Sequence, residues 1–586
     1  MLQSRATYRS IWITYLRPHW RQALLLLGLL LTNTGLRLYN PWLLAGFIDV
    51  AVGGGAMKQL AQLALLFLGV ALVTQSNGVL VNYLAANIGL RATNRLRRDL
   101  LLHTLRLDMS FHNEHTPGEL IERVDGDVGA LNNFLSRFAV ELTNNLLLLV
   151  GTLVMLYTID WRVGSALLLF ALLILWLTFR LRDVAVPHFT AARQAHADLY
   201  GFLEERLAGT EDVRANGATG YVMLRFYERC RALLRKDLRA HLTGSAVYQF
   251  ISFSFALGTM LALGLGAYLF YGGSITIGTV YLIYRYSELL HEPIEVIGRQ
   301  FQELQQAGAA ILRIRAILGI QPLLPQNGQT DLPSGALAVK FDQVQFRYAD
   351  MADDSRVLHD ISFQLPPGSV LGLLGRTGSG KTTLARLLFR LYDPTQGAVQ
   401  LNGIDLPSVC PTALRQRVSM VTQEIQLFHA SLRDNLTMFE PGTSDEQIIQ
   451  VLQEVGLARW YTTLPAGLET QLTPGGLSGG EAQLLAFARV FLRNPGLVIL
   501  DEASSRLDPA TEQTAGSGGG PLITKRTAII IAHRLTTVQR ADYIMVLDNG
   551  RCVEYGPPAT GRRPRLALCP PAAHRIRGGA CIRVIG

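Results

Sequence analysis

Long apolar runs broken by arginine-rich connections fill the first half of the chain, and that alternation rules out an ordinary soluble core. A bilayer takes roughly 20 apolar residues per helical crossing. Six stretches read as spans: residues 22–47, 60–84, 138–159, 163–181, 247–271 and 277–290, the last continuing as helix beyond the membrane. The connections after spans one, three and five are short, as in "DW" and "YGGSIT". Those after spans two and four are long and carry Arg91, Arg95, Arg97, Arg98, Arg106, Arg123 and Arg137, then Arg180 through Arg239. Positive residues collect on the cytoplasmic side, so both ends and both long connections are expected in the cytoplasm. The localisation expected is the inner (plasma) membrane, multi-pass.

The long connections are patterned. "LRATNRLRRDLLLHTLRLDMSFH" and "GYVMLRFYERCRALLRKDL" place apolar residues at helical spacing with arginines between them. Spans two to five are therefore expected to run as helices well past the bilayer. Ionisable residues inside spans are costly and often functional. Arg37, close to Asn33 and Asn40-Pro41, stands out, with Arg285, Glu288, Glu292 and Glu295 around span six. Arg37 either faces a water-filled cavity and meets a substrate or pairs with a span-six carboxylate.

The formal net charge of +9 does not require nucleic acid, and none is expected as a partner. Arg562, Arg563, Arg565, Arg575, Arg577 and Arg583 lie in an acid-free tail, and most other positives flank apolar runs. The 5 cysteines show no paired spacing, which argues against a disulfide framework or a zinc site. No cleavable signal is evident in residues 1–21.

After about residue 335 short β-rich runs alternate with helical stretches, the pattern of an α/β domain with a largely parallel sheet. "GRTGSGKTT" follows the apolar "VLGLLG" and opens a helical stretch. It supplies Gly375, Arg376, Thr377, Gly378, Ser379, Gly380, Lys381, Thr382 and Thr383. This is a P-loop: glycines let backbone N–H groups curl round phosphates, Lys381 reaches the β- and γ-phosphates, and Thr382 ligates Mg²⁺. "GLVILDE" ends a strand in Asp501, suited to the Mg²⁺ shell, and Glu502, suited to be the general base for an attacking water.

"GRTGSGKTT", "LSGGEAQ", "LVILDEASSRLD" and "IIAHRL", in this order, resemble the ATP-binding cassette of ABC transporters, and the spans ahead resemble an exporter half-transporter. The resemblance covers roughly residues 10–555. It implies a multidomain fold: an all-α six-helix transmembrane domain with long cytoplasmic extensions, then an α/β P-loop nucleotide-binding domain. It also implies that two cassettes bind head to tail, with Ser478, Gly479, Gly480 and Glu481 of one chain closing over ATP held by the other. By the same resemblance Tyr348 stacks on adenine, Gln423 senses Mg²⁺ and water, Asp508 communicates between sites, and His533 holds the γ-phosphate. Tips around residues 116–128 and 210–220 match helices that dock on the cassettes. The expected domains are transmembrane 1–325, linker 326–337, cassette 338–556 and a disordered basic tail 557–586.

The sequence departs from the family pattern in "GLETQLTPGGLSGG", where a T-x-x-G-E-x-G stretch is usual, and in "TAGSGGGPLIT", where glycines and a proline stand in place of a helix. The second reads as a flexible insertion or, like the tail, an altered reading frame. The expected activity is ATP-driven export, with ATP and Mg²⁺ as cofactors, of a multidrug, lipid or amphipathic cargo. The partners expected are a second half-transporter chain, identical or related, the lipid bilayer, and a small-molecule, lipid or peptide substrate. A nucleotide-gated channel or regulator would share these motifs, but gating needs binding more than the turnover that Glu502 and His533 serve.

Overall fold

The structure, a computed structural model, describes residues 12–299, 301–324, 327–348, 356–422, 425–473, 475–501, 526–532 and 541–558. The chain divides into two compact units: Met1–Leu105 with Gly118–Ile320, and Arg106–Pro117 with Gln321–Gly586.

The first unit is helical. Its main elements are α1 (Trp20–Val52), α2 (Met57–Arg106), α3 (Ala139–Ile159), α4 (Trp161–Ala208), α5 (Thr219–Tyr271), α6 (Ile277–Leu289), α7 (His291–Arg299) and α8 (Phe301–Leu318). α2, α4 and α5 run 50, 48 and 53 residues. At 1.5 Å per residue, α5 is about 80 Å long, well over twice the hydrocarbon core. The patterned stretches that adjoin spans two, four and five thus belong to the same unbroken helices as those spans.

Among the described residues, four helices are long and apolar enough to cross a membrane: Met57–Arg106, Pro117–Ile159, Trp161–Ala208 and Thr219–Tyr271. The expected first and sixth spans are of another kind. α1 has 33 residues, enough to cross, but carries Asn33, Arg37, Asn40 and Asp49. α6 has only 13 residues. The helix breaks at Leu290 and resumes as α7, because Pro293 has no N–H to give the Leu289 carbonyl.

Leu156, Val163, Leu167, Ala262, Ile283 and Tyr286 are fully buried and knit α3 to α6 into one core. Two polar clamps hold α6 on α1. The Tyr286 hydroxyl donates to the Leu38 carbonyl at 2.8 Å. Asp49 accepts from the Gly278 N–H at 2.7 Å and the Thr276 hydroxyl at 2.6 Å. Large apolar side chains such as Leu65, Leu72, Leu169 and Met260 face outward, the inverse of a water-soluble surface.

In the second unit the larger sheet runs β12 (Arg551–Gly556), β11 (Tyr543–Asp548), β3 (Val370–Gly375), β10 (Thr527–Ile531), β9 (Leu497–Asp501), β6 (Val418–Val421). All of its pairings are parallel except β11 with β12. An antiparallel sheet of order β2 (Leu358–Leu365), β1 (Val339–Phe346), β4 (Gln396–Leu401), β5 (Ile404–Asp405) packs into the same core, and β7 (Ala430–Ser431) pairs with β8 (Gln471–Leu472) in a short antiparallel ribbon. α9 (Lys381–Leu388) follows β3, and α10 (Gly479–Arg493) belongs to a second core with Leu432, Ile448 and Leu452.

Candidate functional site

The register of the parallel strands aligns their carboxyl ends. Ile531 of β10 lies beside Leu373 of β3 and Asp501 of β9, and Val421 of β6 beside Leu500. Ligands of such sheets bind at that edge. The loop of residues 376–380 joins β3 to α9 there. Gly380 adopts φ +99, and a Cβ on it would lie 2.6 Å from Leu358 Cδ2, so only glycine fits. Lys381 is 6% exposed, and its ammonium donates to the carbonyls of Gly375 at 2.8 Å and Arg376 at 2.9 Å. It therefore lies along the loop where phosphates are held. The Ser379 hydroxyl is buried with no hydrogen-bond partner among the described residues, and Arg376, Thr377 and Gly378 are exposed. The orphaned hydroxyl, the glycine cradle and the lysine fit a phosphate group. Thr382 and the buried carboxylate of Asp501 are hard oxygen donors that suit Mg²⁺.

Tyr348 sits beside this loop. Its hydroxyl lies 3.0 Å from Thr383 Oγ1 and accepts from Arg386 Nη1 at 3.3 Å. Its ring meets Phe346 and Tyr392 edge-on, at centroid distances of 4.8 and 5.2 Å. Asn113 Nδ2 in turn donates to the Tyr392 hydroxyl at 3.1 Å. Asp108 accepts from the backbone N–H of Leu324 at 3.2 Å and from that of Leu323. The first tip is expected at residues 116–128, but the segment that groups with the nucleotide fold is Arg106–Pro117, a correction of about ten residues. The reason is local. Asp108 and Asn113 offer polar groups there, whereas Asp127 turns inward. It is 2% exposed and accepts from Arg313 Nε at 3.0 and 3.1 Å and from Arg123 at 3.4 Å. The second tip forms the short helix Thr210–Ala215 and groups with the helical unit.

Ser478 caps α10. Its Oγ accepts from the Glu481 N–H at 3.3 Å, and Glu481 Oε2 accepts from the Ser478 N–H at 2.8 Å. This reciprocal box fixes the start of the helix and occupies the Glu481 carboxylate. Ser478 and Gly479 are exposed, so the positive end of α10 opens to solvent. Further down, Arg489 donates to the carbonyls of Asn435 at 2.7 Å and Gln426 at 3.1 Å, and burial lowers its pKa. It bolts the signature helix to the backbone just after Gln423. Asn113, Tyr392 and Arg489 carry no motif, and only their distant partners reveal them. Gln423, Glu502, Asp508 and His533 lie outside the described residues, as do the 514–524 insertion and the tail beyond residue 558.

The helical unit holds a cavity of about 580 Å³ between α1, α2 and α6, lined by Arg37, Arg285, Asn33, Asn40, Gln75, Tyr281 and others. Arg37 lines the cavity, and it pairs with Glu292, one of the span-six carboxylates, at 2.6 Å. Arg285 pairs with Glu288 at 2.5 Å. Glu295 instead approaches His291 at 3.9 Å.

Residues 24–294 match the ABC transporter transmembrane region, and residues 358–505 match the ABC transporter family. A fatty acid ABC transporter ATP-binding/permease protein of Mycobacterium bovis is 31% identical over 88% of this chain and 81% of its own length. An ATP-dependent lipid A-core flippase of Cupriavidus metallidurans is 29% identical over 94% and 93%. The structure of a bacterial Atm1-family ABC exporter with ATP bound superimposes with a TM-score of 0.73, at 24% identity over 92% and 95% of the two chains. Membrane helices and nucleotide fold lie in one polypeptide, so the chain belongs to the ABC transporter family as an exporter-type half-transporter, a multi-pass membrane protein that couples ATP hydrolysis to transport.

Proposed function

We propose that two cassettes, of this chain and a second half-transporter, sandwich two ATP molecules head to tail and drive export of an amphipathic or lipid-like cargo by alternating access. The observation that carries this is the pairing, in one chain, of a phosphate loop with an exposed, capped signature helix. An open helix N-terminus attracts phosphate, and a second copy has a nucleotide to offer it. Residues 1–325 form the transmembrane domain, 326–337 the linker and 338–556 the cassette, with cassette and termini in the cytoplasm of a plasma-membrane protein. The arginine bias of the long connections supports that orientation.

At the site, Lys381 exchanges the carbonyls of Gly375 and Arg376 for β- and γ-phosphate oxygens, which are stronger acceptors because they are charged. Glu502 takes the proton of the attacking water, and Gln423 orients that water. His533 holds the γ-phosphate, Tyr348 faces the adenine, and Asp508 links the two sites. Ser478, Gly479 and Gly480 face the partner's nucleotide; Gly479 and Gly480 present backbone N–H groups to it, while the Ser478 N–H donates to Glu481, which locks Ser478 in place. Thr382 and Asp501 would hold Mg²⁺, which when bound would offset the charge that develops on the transferring phosphoryl group. The cavity with Arg37 receives the cargo, and relatives whose names include fatty acid and lipid A-core support a lipid-like one.

The test is ATP turnover by the purified chain in lipid beside Glu502→Gln. Turnover that vanishes in the variant establishes working sites built by this chain alone. No turnover in either points to a different, required second chain or to an effect of the altered 514–524 and tail segments, which co-purification of a partner separates.

A further inference from the structure

The cavity between α1, α2 and α6 has an asymmetric charge. Arg37 and Arg285 line it, while their carboxylates, Glu292 and Glu288, are not among its lining residues. In the first pair Arg37 is the more sheltered partner, 29% exposed against 51% for Glu292, whereas in the second Arg285 and Glu288 are 45% and 38% exposed. Each guanidinium has five N–H donors, and the recorded carboxylate bond takes one. Beside them Asn40 Oδ1 is buried without a hydrogen-bond partner among the described residues, an acceptor awaiting a donor. Leu44, Phe67, Ala71 and Leu289 supply an apolar wall.

We propose that this cavity selects an amphiphile with an anionic head, a carboxylate or phosphate that carries a hydroxyl or N–H donor, and a hydrocarbon tail. This rests on the reading that the cavity is the cargo site. The anion displaces Glu292 and Glu288 from the two guanidiniums, its hydroxyl or N–H donates to Asn40 Oδ1, and the tail lies along Leu44, Phe67 and Leu289. Charge-assisted bonds to arginine are short and strong in such surroundings. A cationic head would instead meet two guanidiniums and no lining acid. The ion pairs act as stand-ins that keep the arginines satisfied in the apolar unit.

The test measures direct binding to the full-length chain in nanodiscs, with no nucleotide, for three probes of equal tail: tetradecyl phosphate, tetradecylphosphocholine and tetradecyltrimethylammonium. Inorganic phosphate is a fourth probe that separates the head from the lipid. The phosphate ester is expected to bind at least about tenfold more tightly than the ammonium. Arg37→Gln and Arg285→Gln should each weaken it by about tenfold, the worth of one charged hydrogen bond. Glu292→Gln should tighten it, because it removes the competitor and keeps the shape. A purely structural ion pair predicts that Glu292→Gln weakens binding or changes nothing, and that result overturns the proposal, as does equal or tighter binding of the ammonium. Inorganic phosphate that binds as tightly as the ester also overturns it, since the head would then not need the tail. Because binding is read without ATP, turnover of the same preparation separates the two readings. Turnover without anion selectivity sinks this inference alone, and anion selectivity without turnover sustains it while showing that this chain alone does not build working ATP sites.

Discussion

At the scale of the residue, the signature shows how a short motif divides its labour. Ser478 and Glu481 close a capping box, so the carboxylate serves the helix while Ser478 and Gly479 stay exposed. Ser478→Ala loses the cap, worth about 1 kcal/mol, and is expected to lower both the melting temperature and ATP turnover. Glu481→Gln can still accept from the Ser478 N–H, and turnover is expected to stay within about twofold of the parent. A large loss in Glu481→Gln would mean that the negative charge itself acts on nucleotide. A second case concerns pH. Arg433 holds the Asp445 carboxyl below its ordinary pKa through a hydrogen bond. A depressed folded pKa gives stability that is present above the unfolded pKa and lost as pH falls through the folded one. Acid melts should therefore show the parent losing stability below about pH 4 more steeply than Asp445→Asn. Identical slopes would show that the pair contributes nothing.

Among elements, the contact of α6 with α1 is the tightest point of the helical unit. A Cβ at Gly278 would meet the Ala45 carbonyl oxygen and lie 2.7 Å from Asp49 Oδ1, the acceptor of the Gly278 N–H itself. Gly278→Ala should force the helices apart at a cost of about 1–3 kcal/mol, read as a lower melting temperature in detergent. An unchanged melt would show that α1 yields freely. In the nucleotide fold, the ring of Tyr392 is one wall against Tyr348. Tyr392→Ala removes an aromatic pair worth about 0.5–1.5 kcal/mol, so binding of a fluorescent ATP analogue is expected to weaken by up to about tenfold. Tyr392→Phe breaks the Asn113 hydrogen bond but keeps the ring, and should bind nucleotide like the parent. If both variants weaken binding equally, the hydroxyl, not the ring, holds Tyr348.

For the molecule as a whole, the signature of this chain is exposed, as the proposed head-to-tail pairing of two chains needs. Turnover per chain in detergent is then expected to fall as protein is diluted through the dimer dissociation range, by simple mass action. ATP should hold Glu502→Gln as a dimer in size-exclusion chromatography, and Lys381→Ala should abolish that effect. Concentration-independent turnover by a species of monomer size would rule out the head-to-tail arrangement.

What the sequence determines alone is whatever is contiguous. The helical period through α2, α4 and α5, the P-loop between β3 and α9, the signature at the start of α10 and the acid at the end of β9 are each written in a few neighbouring residues. Local backbone physics is enough to read them. The tertiary structure decides pairings across long separations. Arg37 finds Glu292 255 residues away, Asn113 finds Tyr392 279 away, and Arg313 finds Asp127 186 away. It also decides that Arg106–Pro117, rather than residues 116–128, joins the nucleotide fold, and that span six breaks at Leu290. A buried polar group must find a partner, but nothing in its own neighbourhood says which. That choice is made by the packing that brings distant segments within hydrogen-bond reach.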